Sequence, residues 1–198
     1  MAPVTQVLLI ANIAMFLLQA AAEPLLIVYF ALWPLHAPLG GQPAFAPWQL
    51  VTYSFLHGGA THLLFNMLAL YMFGSDIERV FGSRRFALYY FVCVITAALA
   101  QLAVATLSTD PPHPTVGASG GVFGLLLAFG LYFPRRMVML IFPPIPMPAW
   151  LFVTLYGALE LFLGVTVTQQ RVAHFAHLGG MLGGYLTIRY WRGRSTVR

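Results

Sequence analysis

The sequence predicts an all-α membrane protein, a single bundle of six transmembrane helices with a long interfacial first loop. Three observations carry that prediction. Of the 198 residues, 60% are hydrophobic and only 8% are charged, whereas a soluble domain carries roughly 25% charged residues. The apolar residues fall into six runs, each near the length of about 20 residues that a span requires. All ten basic residues are arginine, and they sit in short clusters between runs.

The first run is predicted as a span over residues 4–22, ended by Glu23 and Pro24. Residues 33–56 hold Trp33, Pro34, Pro38, Gly40, Gly41, Pro43, Pro47 and Trp48. Such a stretch reads as an irregular loop at the membrane–water interface, where tryptophan is favoured. Further spans are predicted at 59–77, 86–107, 116–133, 149–168 and 172–191. Thr109, Asp110, Pro111, Pro112 and Pro114 separate the third from the fourth, and Pro143, Pro144, Pro146 and Pro148 precede the fifth. No repeat or second domain is apparent, so residues 1–198 read as one domain.

Orientation follows from arginine. Arg79, Arg84, Arg85, Arg135, Arg136, Arg189, Arg192, Arg194 and Arg198 fall on one side of a six-span chain, and Arg171 alone on the other. That imbalance predicts both termini in the cytoplasm. It also explains the formal net charge of +5 without nucleic acid. The first run lacks an evident cleavage site and reads as a retained span; with no long presequence, a bacterial plasma membrane is the expected location. The single cysteine, Cys93, lies inside an apolar run and reads as a small core residue.

Polar groups inside spans are costly and each needs a reason. The main ones are His62, Asn66, Ser119, Glu160, His174 and His177. With a rise of about 1.5 Å per residue, Asn66, Ser119 and His177 lie on the order of 5–10 Å below the outer ends of their helices. Three non-adjacent segments thus place polar groups at one level, as a shared water-accessible pocket requires. His62 and Asn66 are four apart and share a helix face.

Gly117/Gly121, Gly120/Gly124, Gly179/Gly183 and Gly180/Gly184 have the spacing that lets transmembrane helices approach closely. Packing of the fourth and sixth spans through them would bring Ser119 to His177, a nucleophile to its base. Unpaired N–H groups near Ser119 at a helix start, with His62 and Asn66, would stabilise an oxyanion. No Asp or Glu is expected at that level, so the prediction is a Ser–His dyad. Glu160 is read as a structural carboxyl deep in the fifth span, His174 as a structural group nearer the surface, and His36 and His113 as solvated loop residues.

Gly117-Ala118-Ser119-Gly120, Ala176-His177-Leu178-Gly179-Gly180 and His57 followed by His62-Leu63-Leu64-Phe65-Asn66 stand in an order and spacing that resembles the rhomboid family of intramembrane serine proteases. The resemblance covers residues 45–190. By position it implies Ser119 as nucleophile, His177 as general base, and an oxyanion hole of His62, Asn66 and the Ser119 backbone. Gly117 matches the motif glycine, and His57 a histidine frequent in the family. Glu78 and Arg79 resemble a structural motif at the cytoplasmic end. The chain departs from the family pattern at Trp48-Gln49, where many members carry Trp-Arg, and at Phe123, where many carry Tyr.

The implied activity is hydrolysis of a peptide bond in or near a transmembrane segment of a single-span or multi-span membrane protein. No cofactor and no metal are implied. A lateral gate in the fifth span and a cap at 167–173 are expected by analogy. The alternative is a non-catalytic relative that binds transmembrane clients. A soluble hydrolase is excluded because Gly117-x-Ser119-x-Gly121 would need a strand–turn–helix context. A His-Glu-x-x-His metal motif is absent.

Overall fold

The computed structural model describes residues 2–35, 43–107, 113–139, 144–166 and 173–195. His36, the break at 109–112, Pro143, Arg171 and all but residue 173 of the expected cap lie outside these residues. The helices are α1 (Pro3–Phe30), α2 (Gln49–Thr52), α3 (Ala60–Ala69), α4 (Ser75–Phe81), α5 (Ser83–Leu107), α6 (Ser119–Tyr132), α7 (Ala149–Thr166) and α8 (His174–Ser195). A π-helical turn, Leu70–Gly74, joins α3 to α4, so the six spans are α1, α3–α4, α5, α6, α7 and α8. Of these, α1, α5 and α7 are long and apolar enough by themselves to cross a membrane, and α6 is a shorter apolar helix.

Two expectations about local structure change. The first span does not stop at Glu23–Pro24. It continues to Phe30 through a kink at Ala22, whose φ and ψ are −141° and 35°. A lipid-exposed break would leave backbone groups unpaired in hydrocarbon, so the proline bends the helix there. The proline-rich stretch before α7 contains an antiparallel hairpin, β1 (Met137–Met139) with β2 (Pro146–Pro148). Prolines suit this two-stranded ribbon, in which each strand has a free edge.

The sixth-span, fourth-span and third-span helices form the packed centre. Ten of the fourteen residues of α6 are buried, including Phe123, Leu125 and Phe129, as befits a helix apolar on every face. A Cβ at Gly180 of α8 would collide with the carbonyl oxygen of Gly120 in α6. Gly124 leaves room for Cys93, and Gly183 and Gly184 for Thr96 and Tyr89 of α5. The glycine spacing thus serves α5 as well as the α6–α8 crossing. Cys93 is free and buried.

The arginine-bearing ends meet at the end of the bundle away from Ser119. Arg136 pairs with Asp76 at 2.6 Å, Arg85 lies over the Trp191 ring, and Arg192 over Tyr132. At this end Glu78 ties three segments together. Its carboxylate accepts from Val4 N–H at 3.0 Å, Thr5 N–H and Oγ1 at 2.8 Å each, and Ser83 Oγ at 2.7 Å. Two of those donors are backbone groups of the first turn of α1, which have no intrahelical partner. Glu78→Gln replaces one accepting oxygen by a donor facing donors. We expect a loss on the order of 2–4 kcal/mol, measured as a lower thermal midpoint in detergent.

The first loop is fastened at both ends. Gln49 is buried; its Oε1 accepts from Trp33 N–H at 3.2 Å, and Trp48 Nε1 donates to the Tyr29 carbonyl at 2.9 Å. Gln49 Nε2 also donates to the Tyr29 carbonyl at 3.4 Å, so the amide at position 49 pins the loop to the end of α1. Leu32 forms a bridge with Thr115 just before α6.

Candidate active site

Ser119 is the first residue of α6, and His177 lies one turn into α8. The close α6–α8 approach at Gly120 and Gly180 brings Ser119 Oγ to 2.8 Å from His177 Nε2. Phe123, one turn along α6, stacks on the imidazole with centroids 4.1 Å apart and planes 5° from parallel. That contact holds the ring plane without the hydroxyl that a tyrosine would add. Tyr156 of α7 stacks in turn on Phe123, 5.4 Å between centroids.

The segment before Ser119 requires a glycine. Gly117 has φ +129°, and a Cβ there would strike the His62 ring. Its N–H donates to the Tyr53 carbonyl at 3.0 Å. His62 therefore lies with its Nε2 edge beside Gly117 and Ser119. Gly58 N–H donates to His62 Nδ1 at 3.3 Å. With Nδ1 accepting, a neutral imidazole carries its proton on Nε2, on the ring edge beside Gly117. Asn66, one turn on, is buried, and its Nδ2 donates to the His62 carbonyl at 2.9 Å. One amide hydrogen is used there and the second remains. The backbone N–H groups at the start of α6 complete a set of donors around Ser119.

His57 supports this wall from behind. Its ring packs edge-on to His62 at 5.1 Å. Burial, helped by the neighbouring His62, pushes its pKa down to about 4, so the ring is neutral near pH 7. Gln19 clamps its backbone, accepting from His57 N–H at 3.0 Å and donating to the His57 carbonyl at 2.8 Å. The loop entering α3 is thereby fixed to α1.

A cavity of about 950 Å³ opens on these groups. His62, Asn66, Ser119 and His177 line it, and Phe65, Met72, Phe152 and Tyr156 contribute apolar lining. His113, expected as a solvated loop residue, also lines the cavity.

The expected absence of a carboxylate at this level is corrected. Glu160 Oε2 lies 2.8 Å from His177 Nδ1 and 2.7 Å from His174 Nδ1. Glu160 is not deep: α7 runs toward the site end, and residue 160 is six positions before its last residue, Thr166, or about 9 Å. His177 lies three residues, about 4.5 Å, inside the same end of α8, and the Glu160 side chain spans the difference to reach it. Counting from the nearer end of the predicted span, eight residues or about 12 Å, brings Glu160 toward that level but does not give its face. His174, the first residue of α8 and so nearer that end than His177, is buried against Glu160. Glu160, His174 and His177 place three ligating atoms within 4.8 Å of one another. Both N···O separations are hydrogen-bond lengths, shorter than the roughly 3.3 Å between two ligands of a tetrahedral zinc, so hydrogen bonding accounts for the arrangement.

Comparison with known proteins agrees with this architecture. The model of the Rhomboid domain matches residues 44–194. The chain is 33% identical over 140 residues to rhomboid protease GluP of Bacillus subtilis, covering 70% of this chain and 25% of that protein. It is 32% identical over 140 residues to the putative rhomboid protease YdcA of the same organism, covering 70% and 64%. A third relative is rhomboid protein 1, mitochondrial, of Saccharomyces cerevisiae, 31% identical over 139 residues, covering 70% and 40%. The chain thus spans between a quarter and about two thirds of the length of these relatives. With the family match running across five of the six spans and through every residue of the site, the chain belongs to the rhomboid family.

Proposed function

We propose that this chain is an intramembrane serine endopeptidase that cleaves transmembrane protein substrates through an acyl-enzyme. The observation that carries the reading is the 2.8 Å contact between Ser119 Oγ and His177 Nε2 at the edge of a cavity bounded by membrane-spanning helices. A serine hydroxyl is a weak nucleophile until a base accepts its proton, and this geometry supplies one.

In the proposed reaction Ser119 Oγ attacks the scissile carbonyl carbon while His177 Nε2 takes the hydroxyl proton. The tetrahedral oxyanion is met by the backbone N–H of Ser119, by His62 Nε2–H and by Asn66. Collapse breaks the C–N bond, and His177 passes its proton to the departing amine. Water, deprotonated by the same nitrogen, then hydrolyses the ester and frees Ser119. An intact substrate helix hides its carbonyl carbons, so the substrate must unwind at the cleavage point. This favours helix-destabilising segments with a small residue there.

The arginine-rich end is assigned to the cytoplasm by the charge imbalance, and the cavity to the outer face. The substrate class is single-span or multi-span membrane proteins within the bilayer. Helix α7 is the proposed lateral gate: among its residues only Ala149, Val153 and Glu160 are buried, and its Phe152 and Tyr156 form one cavity wall.

The test is labelling by a fluorophosphonate probe in the folded, membrane-reconstituted protein. Ser119 is expected to be the labelled residue, with labelling lost in Ser119→Ala. A folded wild-type protein that stays unlabelled beside a reactive control hydrolase would instead indicate a non-catalytic family member that binds transmembrane clients.

A further inference from the structure

We infer that Glu160 is a positioning residue for the base, holding His177 in the tautomer that can accept the serine proton, with His174 holding Glu160 in turn. This rests on the reading of Ser119 and His177 given above, and extends the site from two residues to a relay of four.

The argument begins with the histidine. To accept a proton from Ser119 Oγ, His177 Nε2 must be bare, and a neutral imidazole then carries its hydrogen on Nδ1. Glu160 Oε2 stands 2.8 Å from that nitrogen, so an ionised carboxylate accepts the Nδ1–H and selects the required tautomer. Stacking on Phe123 sets the plane of the ring, but a flat contact does not distinguish one nitrogen from the other. The carboxylate does. A carboxylate so placed orients the imidazole and favours the imidazolium that forms during the reaction.

His174 makes the assignment specific. Its Nδ1 reaches the same oxygen at 2.7 Å, and it lies three residues before His177, on the same side of α8. Two imidazole N–H groups donating to one oxygen hold the glutamate in a single orientation. They also offset part of the cost of an ionised carboxyl in a transmembrane helix. The competing arrangement has a protonated Glu160 donating from Oε2 to His177 Nδ1. That would force the hydrogen of His177 onto Nε2, where it would point at the serine and the ring would be no base. The competing arrangement carries one proton more, on the carboxyl, and holds the histidine hydrogen on the other ring nitrogen, a difference that is observable.

The experiment compares wild type, Glu160→Gln and Ser119→Ala on one helical membrane substrate, with KM and kcat determined separately. Glu160→Gln is expected to lower kcat by roughly 10²- to 10⁴-fold with KM within about twofold, since the loss falls on the chemical step and not on substrate binding. Wild-type kcat in Glu160→Gln, with Ser119→Ala inactive, would overturn the positioning role and leave the protease reading standing. Full cleavage by Ser119→Ala would remove that reading itself. Should Glu160→Gln fail to fold, the wild-type protein decides alone. With ¹⁵N-labelled histidine, and His177 assigned from the resonances missing in His177→Ala, the proton is expected on Nδ1. A proton on Nε2 at neutral pH would sink the proposal whatever the variants do.

Discussion

Ser119→Ala is expected to lower cleavage of a helical membrane substrate by at least about 10⁴-fold, and His177→Ala by a similar factor. The two losses should not multiply: a protein lacking both should be no less active than either single variant. Residues that share one proton act as a unit, so removing one already removes the function of the other. The 2.8 Å contact makes them such a unit. The measurement is turnover by reconstituted protein, with circular dichroism and thermal midpoint showing that each variant is folded. Ser119 lies at the surface of the cavity and is small, so its loss should cost little stability. Equal cleavage by wild type and both variants would end the protease reading, whatever the family relationship.

Gly180→Val is expected to destabilise the bundle by about 3 kcal/mol or more, and to abolish labelling of Ser119 along with it. The reason is local and severe. A Cβ at position 180 meets backbone, the carbonyl group of Gly120, and backbone cannot rotate aside as a side chain can. The helices must separate. Gly120 adjoins Ser119 and Gly180 is three residues from His177, so separation at this crossing pulls the nucleophile from the base. Gly193→Ala is the control: a Cβ there meets nothing within 4 Å, and inside a helix the change should leave stability unchanged or raise it by up to about 1 kcal/mol. A Gly180→Val protein with wild-type melting and labelling would mean that the α6–α8 approach is not what holds the site together.

The site was legible where its chemistry follows helix depth and spacing. Ser119, His177 and Asn66 come to one level because each lies a few residues inside the same end of its span. His62 and Asn66 share a face because four residues make about one turn. Gly120 and Gly180 announce a close crossing because nothing larger fits between two backbones. The rest was hidden for identifiable reasons. Gly58 N–H, which sets the proton of His62, comes from an irregular loop whose path no periodicity describes. Trp48 and Gln49 fasten the first loop through carbonyls at the end of a helix that runs past its own proline.

What the sequence alone determined is the set of membrane spans, the arginine-marked end, and the serine and histidine that face each other across a glycine seam. These depend on composition, helical rise and residue size, all local quantities. What only the tertiary structure decided is the company His177 keeps on its other nitrogen. Glu160 lies on α7, and its depth could be counted from the end of that helix. Whether its carboxylate turns toward α8 or toward lipid depends on the rotation of α7 against its neighbours. That rotation is set by many contacts distant in sequence, including the stack of Tyr156 on Phe123, and no pattern within a single helix specifies it.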